Sequence, residues 1–296
     1  MNTKTAMITI AGRPNVGKST LTNYLVGEKI AIVSNKPQTT RNRICGIVTR
    51  EDTQFVFVDT PGYHRARTKL GDYMVNTVRE SIADVDATIL VVEPIASIGP
   101  QEQGLIEQLK ATRCPVILAI NKIDSVEKDI LLEVIALYSQ AADFAAIIPI
   151  SAKTGDGVER LLNVCAKYAQ ESPFLFDEDL TTDQPERQVM AEIIREKILW
   201  NLDKEIPHGT AVEINRFSER DSGVIDIDAT IFCEKASHKG IIIGKGGAML
   251  KKISTQARHD CEKFMGTKVY LTTWVKVKEN WRDSDFLVRN FGYNDN

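Results

Sequence analysis

Gly12-Arg13-Pro14-Asn15-Val16-Gly17-Lys18-Ser19 is the stretch that decides the fold. An apolar run, Ala6-Met7-Ile8-Thr9-Ile10-Ala11, precedes it. Thr20-Leu21-Thr22-Asn23-Tyr24-Leu25 follows with helical spacing. Strand, glycine loop and helix, in that order, match the phosphate-binding pattern GxxxxGK(S/T). The glycines let the backbone curl until several N–H groups face one anion, and the following helix turns its positive end to the same point. Lys18 is then placed to reach the β- and γ-phosphates, and the Ser19 hydroxyl to bind Mg²⁺.

Working outward, Glu28 to Arg43 is polar, broken by Pro37, and holds Gln38-Thr39-Thr40-Arg41. A threonine in this segment of a phosphate-loop GTPase closes on Mg²⁺ and the γ-phosphate. Thr40 is the first choice and Thr39 the alternative. Thr53-Gln54-Phe55-Val56-Phe57-Val58 reads as a strand ending in Asp59-Thr60-Pro61-Gly62. An acid at that strand end can hold Mg²⁺, which makes Ser19, Thr40 and Asp59 the expected metal set, and Gly62 lets a backbone N–H approach the γ-phosphate. Tyr63 to Asp72 reads as a second mobile segment, with His64, Arg65, Arg67 and Lys69 solvated. A helix over about 71–83, a strand over 87–92 and a helix over about 100–111 follow. The strand Pro115 to Ile120 ends in Asn121-Lys122-Ile123-Asp124. Asp124 can accept from both N1–H and the 2-amino group of guanine, a donor pair that adenine lacks. Asn121 buttresses the loops and the Lys122 stem covers the ring. Strand Ile147 to Ile150 leads to Ser151-Ala152-Lys153, whose backbone N–H groups can meet the guanine O6. All these signals fall at carboxyl ends of strands, the edge where an open α/β sheet binds ligands.

Residues 6 to about 170 resemble the translation-factor-related GTPases. The resemblance implies a Ras-like α/β domain: a mixed, mostly parallel sheet with helices on both faces. It implies GTP or GDP held by Gly12 to Thr20, Asp59 to Gly62, Asn121, Lys122, Asp124 and Ser151 to Lys153, with Lys18, Thr40 and Gly62 serving hydrolysis. Ras-like enzymes carry a glutamine directly after the DxxG motif, where this chain has Tyr63. The attacking water must be placed by backbone groups, by the Thr40 loop or by a partner, so a slow intrinsic GTPase is expected. In related GTPases an asparagine at the place of Asn15 helps to bind potassium; equal turnover in sodium and potassium buffers would exclude that role here.

At 296 residues and 43% apolar composition, two domains are expected. Net charge is −3, but it is unevenly spread. From Lys235 to Arg282 eleven Lys and Arg face three acids, a net of +8, which leaves −11 for the rest. Such segregation suits a polyanion. The cysteines, at 45, 114, 165, 233 and 261, form no CxxC pair, which points to free thiols in a reducing compartment rather than a disulfide frame or zinc site. Met1 to Thr5 leads directly into a strand, so no signal peptide is expected, and no apolar run reaches the roughly 20 residues of a membrane span.

Domain boundaries are expected at 1–170, 171–186 and 187–296. Within the middle stretch, Glu171 to Pro185, with two prolines and five acids, reads as a linker whose phenylalanines can dock on a domain. Beyond it, Val189 to Leu199 reads as an amphipathic helix, 210–217 and 223–233 as strands, a basic helix runs to about Phe264, and Lys268 to Val277 is a last strand. Between the helices stands Gly244-Lys245-Gly246-Gly247, the GxxG signature of KH domains, which clamps about four single-stranded nucleotides. The expected RNA-binding residues are Ile241, Ile242, Ile243, Gly244, Lys245, Gly246, Gly247, Lys251, Lys252 and Arg258, with Ile253 sharing the apolar floor under the bases.

A nucleotide domain followed by an α+β KH domain resembles the bacterial Era family, most of all in Gln38 to Arg41, His238 to Gly247, and Trp274 to Lys278 with Trp281-Arg282. The resemblance implies a GTP-hydrolysing switch that grips the single-stranded 3′ end of 16S rRNA and assists maturation of the small ribosomal subunit. It implies a cytoplasmic monomer, with peripheral contact to the inner membrane face in some members. The alternative is an RNA-binding assembly scaffold whose turnover is incidental. A tRNA-modifying GTPase fits less well, because this chain ends in a KH domain and carries no C-terminal reactive cysteine motif.

Overall fold

The computed structural model describes residues 3–62, 68–83, 85–112 and 114–293. Contacts divide it into two compact units. The first is Met1–Ala31, Thr40–Ala66 and Met74–Asp183; the second is Ile32–Thr39, Arg67–Tyr73 and Gln184–Asn296.

The first unit is built on a sheet of order β2-β3-β1-β4-β5-β6, from β1 (Lys4–Ala11), β2 (Ile44–Arg50), β3 (Thr53–Asp59), β4 (Ala87–Val92), β5 (Val116–Ile120) and β6 (Ala146–Pro149). Among these six strands β2 and β3 run antiparallel to each other and the other neighbours are parallel. Every residue of β4 is buried, which its unbroken apolar sequence reflects, because parallel strands are covered on both faces. Ile89 and Val91 join Ile8, Phe57, Leu21 of α1 (Lys18–Val26) and Leu161 of α5 (Val158–Cys165) in one core. Leu90 and Val92 point the other way, toward Val78 of α2 (Lys69–Ala83), Leu105 of α3 (Pro100–Lys110) and Val134 of α4 (Lys128–Ala141). The motif loops all leave the carboxyl edge of this sheet.

The stretch expected to be a linker is bound to the first unit as far as Asp183. Helix α5 stops at Cys165, and β7 (Gln170–Glu171) pairs antiparallel with Lys4 and Thr5. The buried Gln54 amide then takes over. Its Nε2 donates to Phe176 O at 2.9 Å, and its Oε1 accepts from Leu175 N at 2.9 Å and Phe176 N at 3.0 Å. Phe176 packs beside Met7, Cys45, Val56 and Val58. Ile47 N donates to Thr181 O at 2.9 Å. Prolines and acids suppress helix here, but they leave the backbone able to pair with a strand edge and a side-chain amide.

In the second unit α6 (Glu186–Asn201), β8 (Ala211–Glu219), β9 (Ile225–Cys233), α7 (Ala236–Ile243), α8 (Ala248–Met265) and β10 (Val269–Val277) form a sheet of order β10-β9-β8 backed by helices. The β9–β10 pair is parallel, so its crossover must span the sheet, and α7 and α8 make it. Ile194, Ile198, Ile227, Ile231, Ile242, Ile253 and Cys261 share one core. The tail beyond β10 folds back: Trp281 is fully buried, its Nε1 donates to Gly209 O at 2.9 Å, and Phe291 meets it edge-on at 5.2 Å. It includes α9 (Asp285–Asn290), capped by Ser284.

Helix α6 is less amphipathic than its sequence suggests, because Arg195, Glu196 and Lys197 are all buried. Residues 32–39 account for much of this. Glu196 Oε1 accepts Val33 N–H at 2.9 Å, and Trp200 Nε1 donates to Val33 O at 2.9 Å. Arg195 donates to Thr39 O, and Lys36 Nζ to Asp203 Oδ1 at 3.0 Å.

Replacing Gln54 by Ala leaves the Leu175 and Phe176 backbone groups without their partner, which should cost about 2 kcal/mol. Denaturant unfolding should show that loss, with faster amide exchange at residues 175 and 176; unchanged exchange there would contradict the docking role of Gln54.

Candidate functional site

The loop after β1 closes by tight backbone packing. Gly17 has φ 103°, and a Cβ there would stand 2.2 Å from Asn121 Nδ2, so only glycine fits. Asn15 also adopts a left-handed conformation, at φ 67°, which asparagine tolerates better than most residues. Lys18 Nζ donates to Gly12 O at 3.2 Å and Arg13 O at 2.9 Å. Burial pulls its pKa down to about 8, although Asp59 pulls the other way. An ammonium so deprived of water gains strongly from an anion, so the loop suits phosphate.

Beside it lie the oxygens of the expected metal set. Ser19 Oγ is 2.8 Å from Thr40 Oγ1 and donates to Asp59 Oδ2 at 2.7 Å. Thr39 instead donates to Lys36 O at 2.6 Å, so the structure brings Thr40, not Thr39, to Ser19. Among the described residues, Asp59 Oδ1 is buried with no hydrogen-bond partner. Burial raises the Asp59 pKa to about 6, against the opposing pull of Lys18 and the Ser19 hydrogen bond. Three hard oxygens, one of them an orphaned carboxylate atom, fit a Mg²⁺ ion. Gly62 reaches the phosphate loop closely: a Cβ on it would lie 2.8 Å from Pro14 Cα. Tyr63, His64, Arg65 and Arg67 lie outside the described residues, while Lys69 is half-exposed, 3.7 Å from Asp285.

The base-selecting loops are tied to the phosphate loop. Asn121 Nδ2 donates to Val16 O at 2.8 Å, and its Oδ1 accepts Ala152 N–H at 2.9 Å. Lys122 Nζ donates to Asn15 O at 2.7 Å, which lays its stem across the site. Asp124 is exposed, and its Oδ1 accepts from Ser151 Oγ at 2.7 Å. Two of the three expected O6 donors are engaged: Ser151 N–H goes to Asp156 O at 2.8 Å and Ala152 N–H to Asn121. A guanine O6 would therefore share Ala152 N–H with Asn121 or take that of Lys153.

In the second unit, Gly244 has φ 72°, and a Cβ there would stand 2.7 Å from Met249 Cβ. Lys245 and Gly246 are exposed at the turn, and Gly247 caps α8 in the left-handed conformation. Lys251 and Lys252 are exposed on α8, and Ile241 is 49% exposed beside the turn. Ile242 and Ile253 correct the expected binding surface. Both have 0% exposure in the core, so they support the floor from below and cannot touch a base. Arg258 NH1 is ion-paired with Glu262 at 2.8 Å, which leaves it less available than the two lysines.

Two acids escaped the sequence reading. Glu93 follows β4 at the same edge as the motifs, and Glu102 lies in the first turn of α3; both engage Arg13. The rule that ligands gather at carboxyl strand ends could have found Glu93. Glu102 has no local signal, because it arrives from a helix.

Comparison with known proteins adds the following. A family model described as 50S ribosome-binding GTPase matches residues 7–122, and one described as KH domain matches residues 205–282. GTPase Era of Ruminiclostridium cellulolyticum is 52% identical over 296 residues, covering 100% of this chain and 99% of the relative. GTPase Era of Clostridium kluyveri is 52% identical over 290 residues, covering 98% and 99%. Two solved structures superpose with TM-score 0.93 at 36% identity, covering 98% of this chain and 99% of theirs: Era in complex with MgGDPNP and nucleotides 1506–1542 of 16S ribosomal RNA, and a variant of Aquifex aeolicus Era bound to GDP·AlF4⁻.

Metal binding needs the ionised Asp59 carboxylate. Because its pKa is raised to about 6, affinity for a divalent ion should fall as pH drops through that value and level off above it. Titration of Mn²⁺ followed by electron paramagnetic resonance should show this fall in the wild type and not in Asp59→Asn. Parallel pH profiles would contradict the role.

Proposed function

The chain belongs to the Era family of GTPases, and from that premise we propose that it binds the single-stranded 3′ end of 16S rRNA under control of its guanine nucleotide, as a cytoplasmic factor in small-subunit assembly. The observation that carries the coupling is a short piece of chain. Residues 32–39 lead directly into Thr40, yet they are hydrogen-bonded to α6 through Glu196, Trp200 and Arg195. Whatever orders Thr40 pulls on a segment that belongs to the RNA-binding unit.

In this reading the loop N–H groups from Gly12 to Thr20 and the Lys18 ammonium neutralise the phosphates. Ser19, Thr40 and Asp59 would hold Mg²⁺, which when bound offsets charge on the β- and γ-phosphate oxygens. Thr40 and the Gly62 N–H sense whether the γ-phosphate is present. Asp124 selects guanine, Asn121 fixes the loops around the base, and Lys122 covers it. After hydrolysis Thr40 and Gly62 lose their contact, and the pull on residues 32–39 relaxes. On the other unit, the Gly244 to Gly247 turn receives the sugar-phosphate, Lys245, Lys251 and Lys252 supply charge, and Ile241 with Ile243 offers apolar surface to bases. The complex of an Era relative with 16S rRNA nucleotides 1506–1542 supports this choice of RNA. Among the described residues no helix is long and apolar enough to cross a membrane, so membrane contact, where it occurs, would be peripheral.

Fluorescence anisotropy with an oligonucleotide matching the 16S rRNA 3′ end tests the proposal. The full chain should bind at least about fivefold more tightly with a non-hydrolysable GTP analogue than with GDP, the lower end of usual coupling energies. Equal affinity in the two states and without nucleotide would favour the scaffold alternative, and no binding in any state would overturn the choice of RNA.

A further inference from the structure

Arg13 is the one charged residue of the phosphate loop besides Lys18, and phosphate binding as described above makes no use of its side chain. The guanidinium is held by two acids from different elements. Its Nε donates to Glu102 Oε1 at 2.8 Å, and NH2 reaches Glu93 Oε2 at 3.4 Å. The Glu102 side chain is only 3% exposed, and its second oxygen accepts Gly99 N–H at 3.2 Å, at the start of α3. Glu93 uses its other oxygen on Lys122 Nζ, at 2.5 Å. One carboxylate therefore joins a phosphate-loop cation to a base-loop cation.

The backbone ends of this network explain what it can do. The carbonyl of Arg13 is an acceptor for Lys18, and the carbonyl of Asn15 is the acceptor for Lys122. Fixing the Arg13 side chain fixes the peptide that aims Lys18. Fixing Lys122 against Glu93 fixes the peptide of Asn15, which sits in a left-handed conformation, as Lys122 itself does. Charge-assisted bonds to a nearly dry carboxylate are the strong kind, and removing Arg13 leaves the Glu102 charge buried without its cation.

We propose that Glu93 and Glu102 are positioning residues for the guanine nucleotide: acting through Arg13 and Lys122, they lock the phosphate loop to the base loop and so set how long nucleotide stays bound. This rests on the guanine-nucleotide reading of the site. Both acids act through the cations they hold, so their loss acts on the dissociation rate, while encounter with an open edge of the sheet stays nearly unchanged. Glu102→Gln keeps the shape and the acceptor for Gly99 but removes the charge that Arg13 needs.

The test is stopped-flow release of a fluorescent GDP (the mant derivative) from the full chain. Glu102→Gln, Glu93→Gln and Arg13→Gln should each release it about tenfold faster or more, with association within about twofold of wild type. The double variant Arg13→Gln with Glu102→Gln should be little faster than Arg13→Gln alone, because both changes break the same Arg13–Glu102 bond. Glu93→Gln alters a quarter-exposed side chain and keeps the test usable should Glu102→Gln fail to fold. A merely structural role would lower the melting temperature and leave the release rate of folded variants at the wild-type value, and that result overturns the proposal. Additive effects in the double variant would overturn it as well. Wild-type protein that does not bind the fluorescent GDP at all would overturn the guanine-nucleotide reading instead.

Discussion

Two opposite charges kept away from water, the Lys18 ammonium and the Asp59 carboxylate, are the constraint on which the first unit depends. Burial costs each of them, moving the lysine down to about 8 and the aspartate up to about 6. They are brought to one place by strands β1 and β3, neighbours in the sheet, which release their chains at the same edge. A fold does not keep such a pair for stability, since buried ion pairs seldom improve on apolar packing. It keeps them because anionic phosphates beside Lys18, and a cation beside Asp59, offset what burial took away. The left-handed turn at Gly17 and the close approach of Gly62 serve that end by letting backbone N–H groups gather where side chains would collide.

Chain continuity joins this edge to the second unit at residues 32–40. Residues 32–39 cannot follow Thr40 freely, because their backbone is pinned to α6 by Glu196, Trp200 and Arg195. Those side chains are on a helix whose other face, through Ile194 and Ile198, is part of the core beneath the GxxG turn. A change at Thr40 therefore has a physical route into the unit that carries Lys245 and Ile241. The size of the effect is bounded by how differently the two nucleotides engage Thr40 and Gly62.

Much of this was legible in the sequence because the chemistry of phosphate and guanine leaves short, ordered marks. The glycine loop, Asp59 to Gly62, Asn121 to Asp124 and Ser151 to Lys153 each sit where a strand ends, and the strands themselves are apolar runs. What could not be read came from distant parts of the chain. Gln54 looks like an ordinary polar residue of a half-buried strand, yet it is fully buried and holds residues 175 and 176. The isoleucines before the GxxG turn read alike, but helical geometry turns Ile241 outward and Ile242 into the core. Arg195, Glu196 and Lys197 would be expected on a solvated face, and only the folded chain shows residues 32–39 lying against them. Glu102 reaches the phosphate loop from a helix about ninety positions away, a distance no local pattern records.

Amide hydrogen exchange on the full chain, read by mass spectrometry with Mg²⁺ and either GDP or a non-hydrolysable GTP analogue, tests the central claim most directly. If residues 32–39 link the nucleotide to the RNA-binding unit, the analogue should change protection at residues 32–40 and, together with it, in the carboxyl half of α6 around Trp200. A change confined to residues 40–62, with α6 exchanging identically in both states, would contradict the account.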